Sequence, residues 1–588
     1  MFTTTTAIQY RLSVPNPRSH YFHVEAHFPG PFPEEFEVAL PVWTPGSYLV
    51  REYARHLINL TARNGKGSLP IQEHSKSSWL IQIPTDTGEL VLTYDVYAYE
   101  LTVRTSYLDQ NFGLAQGTTL FLYHPLWTTR PHRLTLDLPT EWSTSATLDG
   151  EHAVTFPDYD SLVDTPIQMG RRLTHYPFTV QGIPHELWVA GLGCERLPKP
   201  SFLEDLTRII EAGGGIFGAL PYSQYQFLVT ITEAGGGGLE HKNSANIMVT
   251  PKLWRQAKDY RVLLSLMAHE FFHLWNVKRL RPHVLGPFDY QHEVYTTLLW
   301  ALEGLTDYFA PWLLAHSQVV PVDEILAHWA TQLKTLESTP GRFLTPLDRA
   351  SQEAWIRHYR PDANTPNITV SYYLKGALVG LFLDLELLAA TNQKIGLKEV
   401  FRELWRRYGE GGYPEPAFED LLVEMGGAPM ARVLASYVHG TDPFDESILN
   451  TVGLRLERTF SDTESEEMVS VGLNLVDRQG RLLVRQVERG GPGENAGVSP
   501  EDEVLALNGE RIATEEQWKE ALRHLTPGQS ASLVIAHNRE VIDAPLVPAE
   551  PRPDRYRLLP VEQPSPAQQK AFERWLGVPF PENRESDR

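Results

Sequence analysis

His269, Glu270 and His273 stand in the apolar run from Leu263 to Trp275 with the spacing His-Glu-x-x-His. On an α-helix, residues four apart lie one turn from each other on the same face. Both imidazoles can therefore reach one cation, and nitrogen donors of this kind suit Zn²⁺. Glu270, next to the first histidine, can hang beside such an ion without binding it. There it can take a proton from a water whose pKa a bound zinc lowers to about 7, and return it to a leaving amine. The implied chemistry is hydrolysis of a peptide or amide bond. The bland alternative is a helix whose histidines merely bond to neighbours. Leu263, Leu264, Leu266, Met267 and Leu274 argue against it, because they bury the helix, and two histidines plus a carboxylate are costly there unless paired or coordinated.

Catalytic zinc sites take three protein ligands and leave a fourth position open. The first helix is expected to end near Arg281-Pro282, because proline disfavours helical geometry in the residue before it. A second helical run, Tyr295 to Phe309, is apolar nearly all round except for Glu303 and Asp307, which lie at i and i+4. Glu303 is the expected third ligand. Asp307, one turn on, is an acceptor for a ligand's other ring N–H. Glu293, His292, His283 and Asp289 compete, but they belong to a polar stretch that reads as loop or helix start.

Further stretches accompany these: Leu-Pro-Val-Trp-Thr-Pro-Gly-Ser-Tyr at 40–48, Gly-Gly-Gly-Gly-Leu-Glu-His at 235–241, Trp-Ala-Leu-Glu-Gly-Leu-Thr-Asp-Tyr at 300–308 and Ser-Tyr-Tyr-Leu-Lys-Gly at 371–376. With them the chain resembles, over nearly its whole length, the glycyl aminopeptidase family of gluzincin metallopeptidases. The resemblance implies one Zn²⁺ per chain on His269, His273 and Glu303, with Glu270 as general base. It also implies a tyrosine whose phenol hydrogen-bonds the oxyanion of the tetrahedral intermediate. Tyr373 occupies that place, with Tyr372 as the alternative, since neighbours on a helix diverge by about 100°. Residues 237–241 resemble the exopeptidase strand Gly-Ala-Met-Glu-Asn, in which Gly238 and Leu239 would run along the substrate backbone and Glu240 would pair with the substrate's α-ammonium. Gly238, Leu239 and His241 depart from that pattern. Four successive glycines also suit a flexible turn or a close backbone approach.

At 588 residues the chain exceeds what one hydrophobic core supports. The expected fold is multidomain α+β: an antiparallel β domain over 1–175, a mainly helical thermolysin-like zinc domain over 176–445, a PDZ domain over 446–550 and a tail over 551–588 that packs loosely. Short alternating runs such as Tyr21 to Ala26 and Leu90 to Val96 carry the first reading. Helical runs at Phe202 to Ala212, Val322 to Leu336 and Tyr372 to Leu388 make the second mainly helical, and that it is thermolysin-like is what the resemblance implies. In the third block Val471-Gly472-Leu473 resembles the carboxylate-binding loop of PDZ domains, whose groove takes a C-terminal peptide. Thr514 to Leu525 reads as a helix with a capping box through Gln517, and Pro566 to Leu576 as one that Ser565 caps.

The single cysteine, Cys194, allows no internal disulfide. No secretory signal is visible at the start, and no run approaches 18 apolar residues, so a cytoplasmic protein without a membrane span is expected. A formal charge of -21 disfavours nucleic acid and anionic membranes. The expected partners are peptides with a free N-terminus, and the expected activity is zinc-dependent removal of a small first residue, glycine or alanine by the resemblance alone. An endopeptidase that ignores the substrate amine is the alternative within the enzyme class, and Glu240 separates the two. A PDZ peptide-binding module with a silent metal centre is the alternative outside it, disfavoured by Glu270 and the tyrosine donor, which a structural metal site does not need.

Overall fold

The computed structural model describes residues 7–233 and 235–581. The chain divides into two compact units, Met1–Tyr295 with Phe309–Val319 and Phe401–Glu415, and Thr296–Tyr308 with Val320–Val400 and Pro416–Arg588.

The first unit opens with β structure. Along Tyr21–Pro29 every second residue is buried, and Phe22, Val24, Ala26 and Phe28 point into one core. This period of two is what places a strand on the face of a sheet. The seven-stranded sheet is antiparallel except where Ile8–Ser13 runs parallel to His132–Asp137. That pair departs from the expected all-antiparallel pattern; the long chain between the two strands supplies the crossover that parallel pairing needs.

A second sheet of five strands carries the site. Its order is Leu173–Val180, Ile183–Gly191, Tyr225–Ile231, Ser244–Val249 and Gly237–Glu240. Ile183–Gly191, Tyr225–Ile231 and Ser244–Val249 run parallel, and Ser244–Val249 is buried along its whole length, as parallel strands covered on both faces are. Helix Phe202–Phe217 makes the crossover between the first two of these. Gly237–Glu240 turns back antiparallel on Ser244–Val249 and forms the end strand. Helix Tyr260–Phe272 lies against the sheet, with the Phe271 ring edge-on to Tyr225 at 5.3 Å.

This helix stops at Phe272, well before the expected end at Arg281-Pro282. The reason is Arg279, which is 2% exposed. Its guanidinium donates to the carbonyl oxygens of Lys242, Leu274 and Pro221 at 2.6, 3.0 and 3.0 Å, and to the Asn243 side chain at 2.8 Å. A buried cation that gathers acceptors from several segments fixes a compact turn, with Val277 at φ 110°, in place of further helix.

The run expected to be helical from Tyr295 begins its helical turns only at Leu299, and Trp300–Gly304, in the second unit, forms a π-helical turn before the α-helix Leu305–His316. Gly304 meets Gly376 of helix Tyr372–Ala390 backbone to backbone: a Cβ on Gly304 would lie 2.5 Å from the Gly376 Cα. The glycines of the two motifs thus allow the helices to cross in contact. The PDZ core gathers Val471, Val484, Val504, Leu507, Trp518 and Leu533. Asn367 fastens it to the helices, donating to the Val487 carbonyl at 2.8 Å and accepting from the Arg489 N–H at 3.0 Å.

The final segment is packed, contrary to the loose tail expected. Arg555–Pro560 pairs with Leu454–Thr459, and helix Pro566–Leu576 buries Phe572 and Trp575 behind a full capping box between Ser565 and Gln568. At helix Glu515–Arg523 Thr514 does accept from the Gln517 N–H, but the Gln517 side chain accepts from Ala513, so only half of that box forms.

Candidate active site

Within the first unit His269 and His273 turn their Nε2 atoms toward each other, 2.9 Å apart, with ring planes at 84°. Two nitrogens each about 2.0–2.1 Å from one tetrahedral zinc would stand ~3.3 Å apart, so the pair suits a shared ion. His273 donates from Nδ1 to the Asn276 carbonyl oxygen at 2.8 Å. That bond leaves the lone pair on Nε2, the tautomer a metal ligand requires. For His273 the orienting acceptor is therefore this carbonyl, supplied by the turn that ends the helix. His273 is 1% exposed and Glu270 4% exposed.

Gly238 and Glu240 face the metal helix from the end strand. A Cβ on Gly238 would lie 2.1 Å from the Glu270 carboxyl carbon, so only glycine lets the strand approach Glu270 this closely. Glu240, Glu270 and His273 each offer a ligand atom within 4.8 Å of the others. Leu239 turns the opposite way, as successive strand residues do, and is buried with Val103, Phe112, Leu114 and Met248. Its side chain is core, and only its backbone is left to serve a substrate. His241 also turns from Glu240: its Nδ1 lies 3.1 Å from Asp164, which accepts from Lys278 Nζ at 2.7 Å. Burial opposes the Asp164 charge, yet Lys278 and His241 together hold its carboxyl well below the usual range.

In the second unit Glu303 is 2% exposed on the π-helical turn. Tyr372 is fully buried and Tyr373 half-buried. Desolvation, the neighbouring Glu303 carboxylate and Tyr359 push the Tyr373 phenol well above its ordinary pKa, so it is a neutral donor over the working range. His358, which the sequence reading passed over, packs its ring 4.8 Å from that of Tyr372 and 5.3 Å from that of Tyr373. Burial lowers its pKa, and Glu303 pulls the other way. A lone histidine in a polar loop gave no signal of this.

Val471, Gly472 and Leu473 line a groove of about 410 Å³ together with Trp518, Lys519 and Leu522. Gly472 sits at φ 65°, which favours glycine. Leu473–Arg478 is the end strand of the PDZ sheet.

Residues 9–171 match the Peptidase M61 N-terminal domain, residues 262–379 the M61 glycyl aminopeptidase domain and residues 469–546 a PDZ domain. The crystal structure of an aminopeptidase N family protein from Idiomarina loihiensis is 29% identical, with a TM-score of 0.88 over 97% of this chain and 100% of that one. An M1 zinc metallopeptidase from Deinococcus radiodurans is 15% identical over 75% of this chain and 95% of its own, with a TM-score of 0.49. Native yeast LTA4 hydrolase is 14% identical over 75% and 68%, with a TM-score of 0.47. No curated protein matches. Among the described residues no helix is long and apolar enough to cross a membrane. With both peptidase domains matched in order and His269 and His273 poised as a ligand pair, the chain carries the Peptidase M61 N-terminal and M61 glycyl aminopeptidase domains and is a zinc aminopeptidase.

Proposed function

We propose that this protein removes a small N-terminal residue from peptides, using one zinc ion held by His269, His273 and Glu303. Bound there, zinc supplies the positive charge that acidifies a water and polarises the scissile carbonyl. Glu270 takes the proton from the attacking water and passes it to the departing amine. Tyr373 donates to the oxyanion as the carbonyl carbon becomes tetrahedral. Glu240 pairs with the substrate's α-ammonium. The backbone of Gly238 and Leu239, on an end strand, lines the path of the substrate backbone, as strand addition does elsewhere. Asp307 serves as orienting acceptor for His269, since His273 already has its own. The C-terminal groove at Val471, Gly472 and Leu473 takes a peptide carboxyl terminus.

One observation carries the exopeptidase reading: carboxylate oxygens of Glu240 and Glu270 fall within 4.8 Å of each other. An amino acid's nitrogen lies only about 2.5 Å from its own carbonyl carbon. An amine anchor this close to the general base suits the bond that follows the first residue and no later one. The test is cleavage of glycyl anilide beside its N-acetylated form, with metal-replete enzyme and a chelator control. Chelator-sensitive release from the free amine alone is expected. Equal cleavage of both would sink the amine-anchor reading, and cleavage that survives the chelator would sink the zinc reading.

A further inference from the structure

The sequence stretch Leu40 to Tyr48 enters none of the steps above, yet it ends against Glu240. Ser47 donates its N–H to the Thr44 carbonyl at 3.0 Å, closing a tight turn, and Gly46 inside that turn has φ 91°. A Cβ on Gly46 would lie 2.4 and 2.7 Å from the two Glu240 carboxylate oxygens. The turn therefore lays bare backbone on the carboxylate, and glycine is required twice, for the dihedral and for the space.

Beside this contact is a small, partly open cavity of about 10 Å³ whose lining includes Trp43, Gly46, Tyr48, Glu240, Leu285 and Phe288. That is close to the least space one water occupies. Trp43 is fully buried and fixed by its indole N–H, which donates to the Asp289 carbonyl at 2.8 Å. Phe288 stands edge-on to Trp43 at 6.3 Å, with the Arg281 guanidinium 5.1 Å from its ring. Phe288 also lines a polar cavity of about 600 Å³ that includes Asp160, Asp164 and His241. Phe288, like Pro45, Lys278 and Arg281, thus lines both cavities, with one water's worth of room in the first and ample room in the second.

We infer that the small cavity at Glu240 is the subsite for the side chain of the substrate's first residue, with Gly46 as the positioning residue for the amine anchor and Phe288 as the wall that excludes bulky side chains. The inference rests on Glu240 pairing with the α-ammonium. An amine held at Glu240 puts its Cα substituent beside the turn, where hydrogen or methyl fits and a branched chain meets Trp43, Tyr48 or Phe288.

The experiment compares kcat and KM for glycyl and leucyl anilides in the full-length zinc enzyme, wild type, Phe288→Ala and Gly46→Ala, with zinc content and Tm recorded for each. Phe288→Ala opens the small cavity toward the large one and is expected to raise the leucyl-to-glycyl ratio of kcat/KM at least ~10-fold, the range that one or a few methylenes command in a pocket. Gly46→Ala is expected to raise KM for glycyl anilide ~10-fold or more while zinc content holds. Adding Glu240→Asp, one methylene shorter, is expected to recover part of that loss, which a purely structural glycine would not allow. An unchanged leucyl-to-glycyl ratio in folded Phe288→Ala overturns the wall. Absence of rescue in the double variant overturns the positioning role. If the wild type cleaves both anilides equally, the subsite fails while the aminopeptidase reading stands; if it cleaves neither in a chelator-sensitive way, the reading beneath it fails.

Discussion

The end strand Gly237–Glu240 and the PDZ groove both present a sheet edge and glycines at close approaches, but they hold charge differently. Glu240, Glu270 and His273 are at most 4% exposed, crowded together and pressed by glycine backbone. The groove's charged residues pair with one another and keep contact with water: Lys519 with Glu515 at 2.8 Å, both side chains more than half exposed, and Arg552 with the more sheltered Glu488 at 2.9 Å. Burying ionisable groups this tightly costs several kcal/mol in the absence of compensation. Such a cost marks a place where charge is to be handled, whereas a solvated groove marks only a capacity to bind. Sharp losses of turnover are therefore expected from changes at the first region and almost none from changes at the second.

The largest effects belong to the ligand and the base. Glu303→Ala is expected to lose zinc and turnover together, measured by metal content and glycyl anilide cleavage. Glu270→Gln is expected to keep zinc and lose ~10²–10⁴-fold in kcat. Zinc retained with normal turnover in Glu303→Ala would remove that residue from the ligand set and give one of the polar candidates near Glu293 its place. Next comes Tyr373→Phe, expected to lower kcat by ~10²-fold with KM little changed, because the phenol acts on the developing oxyanion. The same loss in Tyr372→Phe, with Tyr373→Phe active, would exchange the two roles.

Lys375 asks whether burial alone marks chemistry. It is 3% exposed, near the start of the helix that carries Tyr373, and its ammonium donates only weakly, to the Gly440 carbonyl at 3.4 Å. Burial pulls its pKa from 10.5 down to about 8. Below about pH 8 both folded and unfolded chains carry the proton, and the native state bears the full penalty. Between that pH and 10.5 the unfolded chain holds more protons, so stability rises with pH, by on the order of 3 kcal/mol in all. Lys375→Met is expected to raise Tm at pH 7 and to flatten this rise in denaturant titrations. A variant less stable at pH 7 would mean that the buried ammonium earns its place through contacts that methionine lacks.

What the sequence disclosed follows from the range of each signal. The histidine pair lies within one helical turn, so spacing alone revealed it. Pro282 marked a helix end by a local rule, and the rule missed because Arg279 draws its acceptors from Lys242 and Pro221, which spacing along the helix cannot reveal. The π-helical turn under Glu303 and the contact between Gly304 and Gly376 depend likewise on two helices meeting. Gly46 on Glu240 and Gly238 on Glu270 lie beyond any periodicity, because a glycine in a sequence does not name what approaches it. The tail misled through composition: its proline and glutamate content suggested loose chain, while Phe572 and Trp575 settled the matter by burial.

The smallest expected effect sharpens the comparison most. Gly472 lies at φ 65°, and a Cβ there would come 3.2 Å from the Glu488 side chain, so Gly472→Ala strains the loop without filling the core. If the groove captures a peptide carboxyl terminus, fluorescence anisotropy with a labelled peptide library of free C-terminal carboxylates should register binding that amidated versions lack, and Gly472→Ala should weaken it several-fold. Cleavage of glycyl anilide should meanwhile stay within about twofold of wild type, because the loop's partners, Val487, Glu488 and Gly493, all belong to the PDZ fold. A ~10-fold fall in anilide turnover with zinc content intact would mean that the solvated groove is coupled to the buried centre, and that exposure is no guide to which region governs the chemistry.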